Sequence, residues 1–142
     1  AQADAGDACF ESKYFFQAWR PVSAITLADT DGNAATDVDA AWTPSQPTPN
    51  HPEYPAAHSC ISGAMAEILN SYYGTANITF DLVGAGAATG ITRHYTSTTA
   101  MLQEIQVARI AGGMHFRTST VDGEALGRNV ARWIVAHKFQ AR

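Results

Sequence analysis

Five side chains in this sequence could bind a tetrahedral oxyanion and move protons around it. Three are basic and two are imidazoles: Lys13, Arg20, His58, Arg109 and His115. An ammonium group supplies a compact positive charge, whereas a guanidinium group forms a planar fork that matches phosphate-like oxygens. One imidazole could bond to the central atom, and the other could carry a proton near neutral pH. The residue types therefore predict an oxyanion site, provided that the fold brings them together.

The segment from His51 to His58 reads His-Pro-Glu-Tyr-Pro-Ala-Ala-His and leads directly into a predicted helix. Its two prolines favour an extended chain, and the two alanines remove bulk just before His58. The first N–H groups of a helix lack partners within the helix and form the positive end of its dipole. An anion is therefore expected at this helix N-terminus, beside the His58 imidazole.

The other basic residues need two local structures to converge. Lys13 and Arg20 are seven residues apart in the first predicted helix, two turns, and are therefore expected to share one face. Arg109 and His115 are six residues apart, so their side chains would point apart on a straight helix. The Gly112-Gly113 pair between them predicts a break that lets them converge.

Apolar periodicity and helix-breaking residues predict four helices joined by long loops. The expected helices cover about 7–19, 57–73, 97–111 and 122–139, and residues 28–57 form a long proline-rich loop. Tyr72 and Trp133 are expected to face the core, and Ser119 to Asp122 should form a capping box for the last helix. With almost no predicted strand, the fold class is all-α, a helical bundle with long loops.

Composition narrows the range of partners. The chain has 142 residues and 46% hydrophobic residues, enough for one globular domain with a real core. Its formal net charge is −4 and its nine basic residues form no run, which argues against a nucleic-acid partner. No segment approaches the roughly 18 consecutive apolar residues of a membrane span, so none is expected.

Three features favour a secreted or extracellular protein. The sequence begins at Ala1, as expected of a processed or partial chain. Asn77-Ile-Thr is an N-glycosylation sequon. Cys9 and Cys60 are predicted to form a disulfide that ties the first helix to the second, and two buried free thiols are the alternative.

Three blocks of the sequence resemble the signature of the vanadium-dependent haloperoxidases, which type 2 phosphatidic acid phosphatases and bacterial acid phosphatases share. They are Lys13-x6-Arg20-Pro21, Pro55-Ala-Ala-His58 and Arg109-x5-His115. The segments 19–25 (WRPVSAI), 29–33 (DTDGN) and 51–55 (HPEYP) are similar to the soluble haloperoxidase branch. The resemblance spans residues 13–115 and implies a haloperoxidase-type helical bundle.

The resemblance implies a role for each matching residue. His115 corresponds to the axial vanadium ligand of the haloperoxidases, or to the phosphate-accepting nucleophile of the phosphatases. His58 corresponds to the acid/base group, and His51 to a histidine near the halide in bromoperoxidases. The residues implied to hold the equatorial oxygens of vanadate or phosphate are Lys13, Arg20, Arg109 and, through its backbone N–H, Ala57.

The sequence departs from the family pattern at three positions. Ala56 replaces a serine whose hydroxyl bonds an equatorial oxygen, and Ala108 replaces a serine before Arg109. Ser119 replaces an aspartate four residues after the axial histidine and would orient the imidazole less strongly. Losses of this kind lower metal affinity or activity by about 10–100-fold.

The residues leave three functions open. The first is a haloperoxidase-like enzyme, with vanadate at His115 and with hydrogen peroxide and a halide as substrates. The second is a phosphomonoesterase that acts on a phosphoester through a phosphohistidine at His115. The third is a non-catalytic storage, defence or binding protein that keeps the scaffold.

Two further expectations concern chain organisation and calcium. The family domain is longer than residues 1–142, so this single domain is expected to lack upstream helices that complete the bundle. A second chain or another copy of this chain could supply them.

An acidic loop within residues 29–39 partly resembles a calcium-binding loop but lacks EF-hand spacing, so a solvated loop is the alternative. Its residues are Asp29, Asp31, Asn33, Asp37 and Asp39.

Overall fold

The computed structural model describes residues 1–84 and 88–138, most of which are helical. The helices are α1 (Gln2–Phe16), α2 (Pro21–Thr26), α3 (Ala57–Tyr73), α4 (Thr98–Ala111) and α5 (Arg117–His137). A 3-10 turn covers Ala28–Thr30, and two short strands, β1 (Phe80–Val83) and β2 (Thr92–Tyr95), pair antiparallel. The predicted all-α class is confirmed.

The helix that carries His58 has the predicted bounds. α3 begins at Ala57 and ends at Tyr73, before Gly74, which adopts the left-handed conformation with φ 72°. α4 begins after Ser97, whose hydroxyl accepts a hydrogen bond from the N–H of Ala100 at 3.0 Å. Local signals therefore fix the end of α3 and the start of α4.

The prediction that Lys13 and Arg20 share one helical face is wrong. α1 ends at Phe16, and Gln17 turns the chain in the left-handed conformation with φ 48°. Arg20 is extended because the ring of the following Pro21 disfavours helical geometry in the preceding residue. Arg20 therefore caps the start of α2, and the two basic residues approach one another only through the tertiary fold.

The last helix starts earlier than predicted. α5 begins at Arg117, so the predicted capping box at Ser119 to Asp122 lies inside the helix and is wrong. Phe116, the capping residue just before α5, instead donates its backbone N–H to the carboxylate of Glu53, 3.0 Å away. The predicted helix end at Phe139 lies outside the described residues.

Small residues bring α3 and α5 together along the most extensive helix contact of the bundle. A Cβ atom on Gly63 would lie 2.6 Å from the Glu124 carbonyl oxygen, and one on Gly123 would lie 2.7 Å from the Ala56 carbonyl oxygen. The predicted core positions of Tyr72 and Trp133 are wrong, since these side chains are 81% and 55% exposed. The core of this contact is therefore built from glycine and alanine instead of large apolar residues.

No helix in the described ranges is long and apolar enough to cross a membrane.

Candidate oxyanion-binding site

A cavity of about 300 Å³ lies at the N-terminus of α3. Side chains from α1, the loop before α3, α4 and the α4–α5 turn meet there. Among its lining residues are Phe10, His51, Ala57, His58, Arg109 and His115. Arg109 and His115 converge because the turn between them passes through Gly113 at φ 74°, as the glycine pair predicted. The fold thus joins the second and third sequence blocks around one cavity.

His115 is buried, and its partners define its protonation state. Its Nδ1 lies 2.8 Å from Oε1 of Glu53, and its Nε2 lies 3.1 Å from Nη1 of Arg20. A carboxylate accepts and a guanidinium donates, so the ring carries its proton on Nδ1 and a lone pair on Nε2. Burial is the main cause that lowers the pKa of His115, against the opposing bond to Glu53. His115 is therefore neutral, and the lone pair of its Nε2 accepts a hydrogen bond from Arg20.

Glu53 is the site residue that the sequence reasoning missed. Its side chain is 2% exposed. Burial alone would raise its pKa, but hydrogen bonds from His115, the Phe116 N–H and Ser119 outweigh burial and lower the pKa of the carboxyl group. The only sequence signal was an acidic residue between Pro52 and Pro55, in a segment already predicted to border the site. Its partner on α5 is set by tertiary structure.

Arg20 is saturated with hydrogen bonds in this structure. Its Nε and Nη2 donate to the carbonyl oxygen of His51, and Nη2 also reaches Nδ1 of His51 and the carbonyl oxygen of Pro52. Its Nη1 donates to the carbonyl oxygen of Met114 at 2.9 Å and to Nε2 of His115. A ligand at His115 would have to displace the last of these bonds.

Lys13 is fully buried behind the cavity and does not line it. Its Nζ donates to the carbonyl oxygens of Pro52 and Glu53 at 2.9 and 3.0 Å. Burial, partly offset by the neighbouring Cys9 thiol, lowers the pKa of Lys13 to about 8. One of its three N–H donors is left for another partner. Lys13 thus orders the segment before α3 and adds positive potential to the site.

Arg109 is the open cation of the cavity. Its Nε is buried and has no hydrogen-bond partner within residues 1–84 and 88–138. Burial lowers the pKa of Arg109, yet an arginine stays charged. A buried donor without a partner costs about 1–3 kcal/mol, so this N–H marks a place where an acceptor from a ligand would be favourable.

The two remaining histidines stand at the mouth of the cavity. His58 is exposed, at the second position of α3. Desolvation against the cavity wall, followed by the positive charge of Arg109, lowers the pKa of its imidazole. His51 is half-buried and packs edge-on against Phe10, with ring centroids 5.1 Å apart. Burial is also the main cause that lowers the pKa of His51. Both rings are therefore neutral near pH 7.

The three departures from the family pattern have different surroundings. Ala56 is fully buried, and its N–H donates to the carbonyl oxygen of Ser119 at 3.0 Å. Ala108 is exposed. The Ser119 hydroxyl lies 3.4 Å from Nδ1 of His115, the nitrogen that Glu53 contacts at shorter range.

Other predicted features lie away from the cavity or remain untested. Cys9 and Cys60 are buried free thiols in this structure, and the disulfide between them stays a prediction. Asn77 is exposed, as a glycosylation acceptor must be. The side chains of Asp31, Asn33 and Asp39 accept bonds within local turns. No described group of three His, Cys, Asp or Glu side chains could hold a metal ion, so calcium is unsupported.

The described helices define a helical-bundle domain with a cavity at the N-terminus of α3. Residues 1–141 match the family described as the VCPO second helical-bundle domain, so the chain belongs to this family of vanadium chloroperoxidase-type domains. The recognised resemblance is thereby confirmed. No curated protein matches the chain.

Solved structures agree with this assignment. The crystal structure of the first bacterial vanadium-dependent iodoperoxidase matches with a TM-score of 0.81 and 29% identity, over 95% of this chain and 30% of that one. Apo and holo structures of a bacterial vanadium-dependent chloroperoxidase each match with a TM-score of 0.69 and 21% identity over 92% of this chain. The matched regions make up 34% of the apo chain and 33% of the holo chain, and these matches show a shared fold. The chain thus spans about a third of the length of the solved structures it matches.

Proposed function

We propose that this chain carries the oxyanion site of a haloperoxidase-like enzyme that binds vanadate and uses hydrogen peroxide to oxidise a halide. One observation carries the proposal. His115 is neutral, holds its proton on Nδ1 and directs the Nε2 lone pair into a cluster of cationic groups. A metal ligand and a nucleophile both need that lone pair.

The donor set fits a tetrahedral oxyanion. Nε2 of His115 would bond the central atom, and the unpartnered Nε of Arg109 would bond an oxygen. The N–H groups at the start of α3, where Ala57 lines the cavity, would supply further donors. Nη1 of Arg20 would exchange its bond to Nε2 for a bond to the ligand. Bound vanadate would supply a Lewis-acid centre that activates peroxide toward the halide.

His58 is placed to move protons. Burial lowers its pKa to about 4, so the imidazole is neutral at pH 7; its lone pair would accept a proton from peroxide and, as a weak base, return it readily. Its exposure at the cavity mouth gives it direct access to water. His51 and Phe10 form one wall of the same cavity and would border the halide.

Orthovanadate titration of the purified chain tests the proposal, followed by peroxide-dependent oxidation of iodide and bromide. We expect His115→Ala to abolish vanadate binding, since it removes the coordinating nitrogen. His94→Ala is the matched control, because His94 is exposed on β2 and pairs with Asp81. Equal vanadate affinity in wild type and His115→Ala would sink the assignment.

A phosphomonoesterase is the second candidate, and the same Nε2 lone pair favours it because a phosphohistidine forms at such a nitrogen. Hydrolysis of p-nitrophenyl phosphate that is lost in His115→Ala, without halide oxidation, would select this function. Vanadate binding without either turnover would select a non-catalytic binding protein instead.

A further inference from the structure

We infer that Glu53 is the positioning residue for His115 and replaces the aspartate that the family pattern places at position 119. The inference rests on the proposed function, because the orientation of His115 matters only if Nε2 bonds an oxyanion. Glu53 reaches the imidazole from the loop before α3, which no motif of the sequence linked to His115.

The geometry fixes both the proton and the plane of the imidazole. Oε1 of Glu53 accepts from Nδ1 of His115 at 2.8 Å and from the N–H of Phe116 at 3.0 Å. These donors belong to consecutive residues, so the carboxylate holds the ring in register with the start of α5. Its negative charge also lies at the positive end of the α5 dipole. Such contacts set the tautomer and raise the basicity of a ligating histidine.

The surroundings of Ser119 explain how the carboxylate could change its origin. Ser119 is fully buried at the third position of α5, and its hydroxyl is 3.4 Å from Nδ1 of His115. A carboxylate at position 119 would therefore approach the nitrogen that Glu53 already contacts. Two carboxylates on one N–H would repel each other, since like charges at short range are unfavourable. The site therefore has room for one carboxylate, from either the loop or the helix.

Lys13 supports the loop origin. Its Nζ donates to the backbone carbonyl oxygen of Glu53 and to that of Pro52. The Glu53 backbone is therefore held independently of its side chain. A substitution of the side chain can change the contact to His115 while these backbone bonds persist.

The test combines a removal with a relocation. Glu53→Met removes the acceptor at similar length, and Glu53→Met/Ser119→Asp returns a carboxylate from α5. The probes are inorganic phosphate and orthovanadate, titrated by calorimetry, and the tautomer of His115 is read from its ring nitrogen-15 shifts. In wild type we expect the proton on Nδ1. In Glu53→Met we expect a shift toward the Nε2-protonated form and about 10–100-fold weaker anion binding.

The double variant should recover the Nδ1 proton and most of the affinity. A purely structural role for Glu53 would lower only the free energy of unfolding and leave tautomer and affinity unchanged in the folded variant, which would overturn the inference. So would a double variant that folds but recovers neither property. If Glu53→Met does not fold, the wild-type protein still tests the inference, because a proton on Nε2 instead of Nδ1 of His115 in wild type would overturn it.

The proposed function fails in a different way. Wild type that folds but binds neither phosphate nor vanadate would refute the oxyanion site itself, together with the role of Glu53 in it. If wild type binds phosphate or vanadate and Glu53→Met binds it equally well, only the positioning role of Glu53 is refuted.

Discussion

The two arginines that meet around His115 differ in how their donors are used. Arg20, at the start of α2, has acceptors for all of its N–H groups, most of them backbone carbonyl oxygens. Arg109, at the end of α4, has a buried Nε without a partner in the described structure. The sequence alone implied the same anion-binding role for both arginines. Their surroundings make Arg20 part of the scaffold and leave Arg109 ready for an anion.

The same difference divides the rest of the site. On the side of Arg20, Lys13 and Glu53 are buried; Lys13 donates two bonds to the loop before α3, and Glu53 accepts from His115. On the side of Arg109, His58 is exposed and the first N–H groups of α3 face the cavity. We therefore expect substitutions on the first side to lower stability, with Glu53 also affecting binding through His115, and those on the second side to change binding and turnover without lowering stability.

The largest expected effect is on turnover, on the open side. His58→Ala should retain vanadate binding and lower peroxide-dependent halide oxidation by about 10²–10⁴-fold, because it removes the proton carrier. The free energy of unfolding should stay near that of wild type, since His58 is exposed. The measurement is the oxidation rate at saturating vanadate. A loss of vanadate affinity as large as the loss of rate would contradict a proton-transfer role and make His58 a binding residue.

The arginine comparison itself gives the next largest effects. Arg109→Met should weaken phosphate binding by about 10–100-fold, the value of a hydrogen bond to a charged group, and should not lower the free energy of unfolding, because it removes a buried donor without a partner in the described structure. Arg20→Met should lower the free energy of unfolding by about 3 kcal/mol, because several buried carbonyl oxygens lose their donor. Calorimetric titration and urea unfolding of both variants measure the two quantities.

Arg117→Met is the matched control for lost charge, because Arg117 is exposed at the start of α5. It should change neither quantity appreciably. The division of the site breaks down if Arg109→Met destabilises the fold as much as Arg20→Met does, or if Arg20→Met leaves stability untouched.

The predictable parts of the fold are those that neighbouring residues decide. α3 has its predicted bounds because it begins shortly after Pro55 and ends before Gly74. α4 starts after Ser97 because the Ser97 hydroxyl caps it. The start of α5 was not predictable, since its first N–H is satisfied by Glu53, 63 residues earlier in the chain. Periodicity also placed Trp133 inside, but α5 meets α3 through glycines and leaves the indole exposed.

The site follows the same rule. His58, Arg109 and His115, from the second and third blocks, line one cavity, and their roles there stay predictions. Which donors are already used could not be predicted. The bonds of Arg20 and Lys13 go to carbonyl oxygens of the segment from His51 to Glu53, and every residue has such oxygens.

The smallest expected effect concerns Lys13, whose positive charge is expected to act on the anion from the Arg20 side of the site. Burial lowers its pKa from 10.5 to about 8, so the folded chain loses this proton above pH 8 while the unfolded chain keeps it to about 10.5. Phosphate affinity should therefore fall above pH 8, by at most about tenfold per pH unit if only the charged lysine binds, since phosphate keeps its own charge in this range.

The free energy of unfolding should change in the opposite direction and rise with pH. The unfolded state binds more protons between these values, so the contribution of Lys13 to the free energy of unfolding rises with pH, by about 3 kcal/mol in total. The Cys9 thiol interacts with Lys13, so the informative quantity is the difference between wild type and Lys13→Met, measured by phosphate titration and urea unfolding from pH 7 to 10. Parallel pH profiles in the two proteins would show that the Lys13 charge does not reach the site.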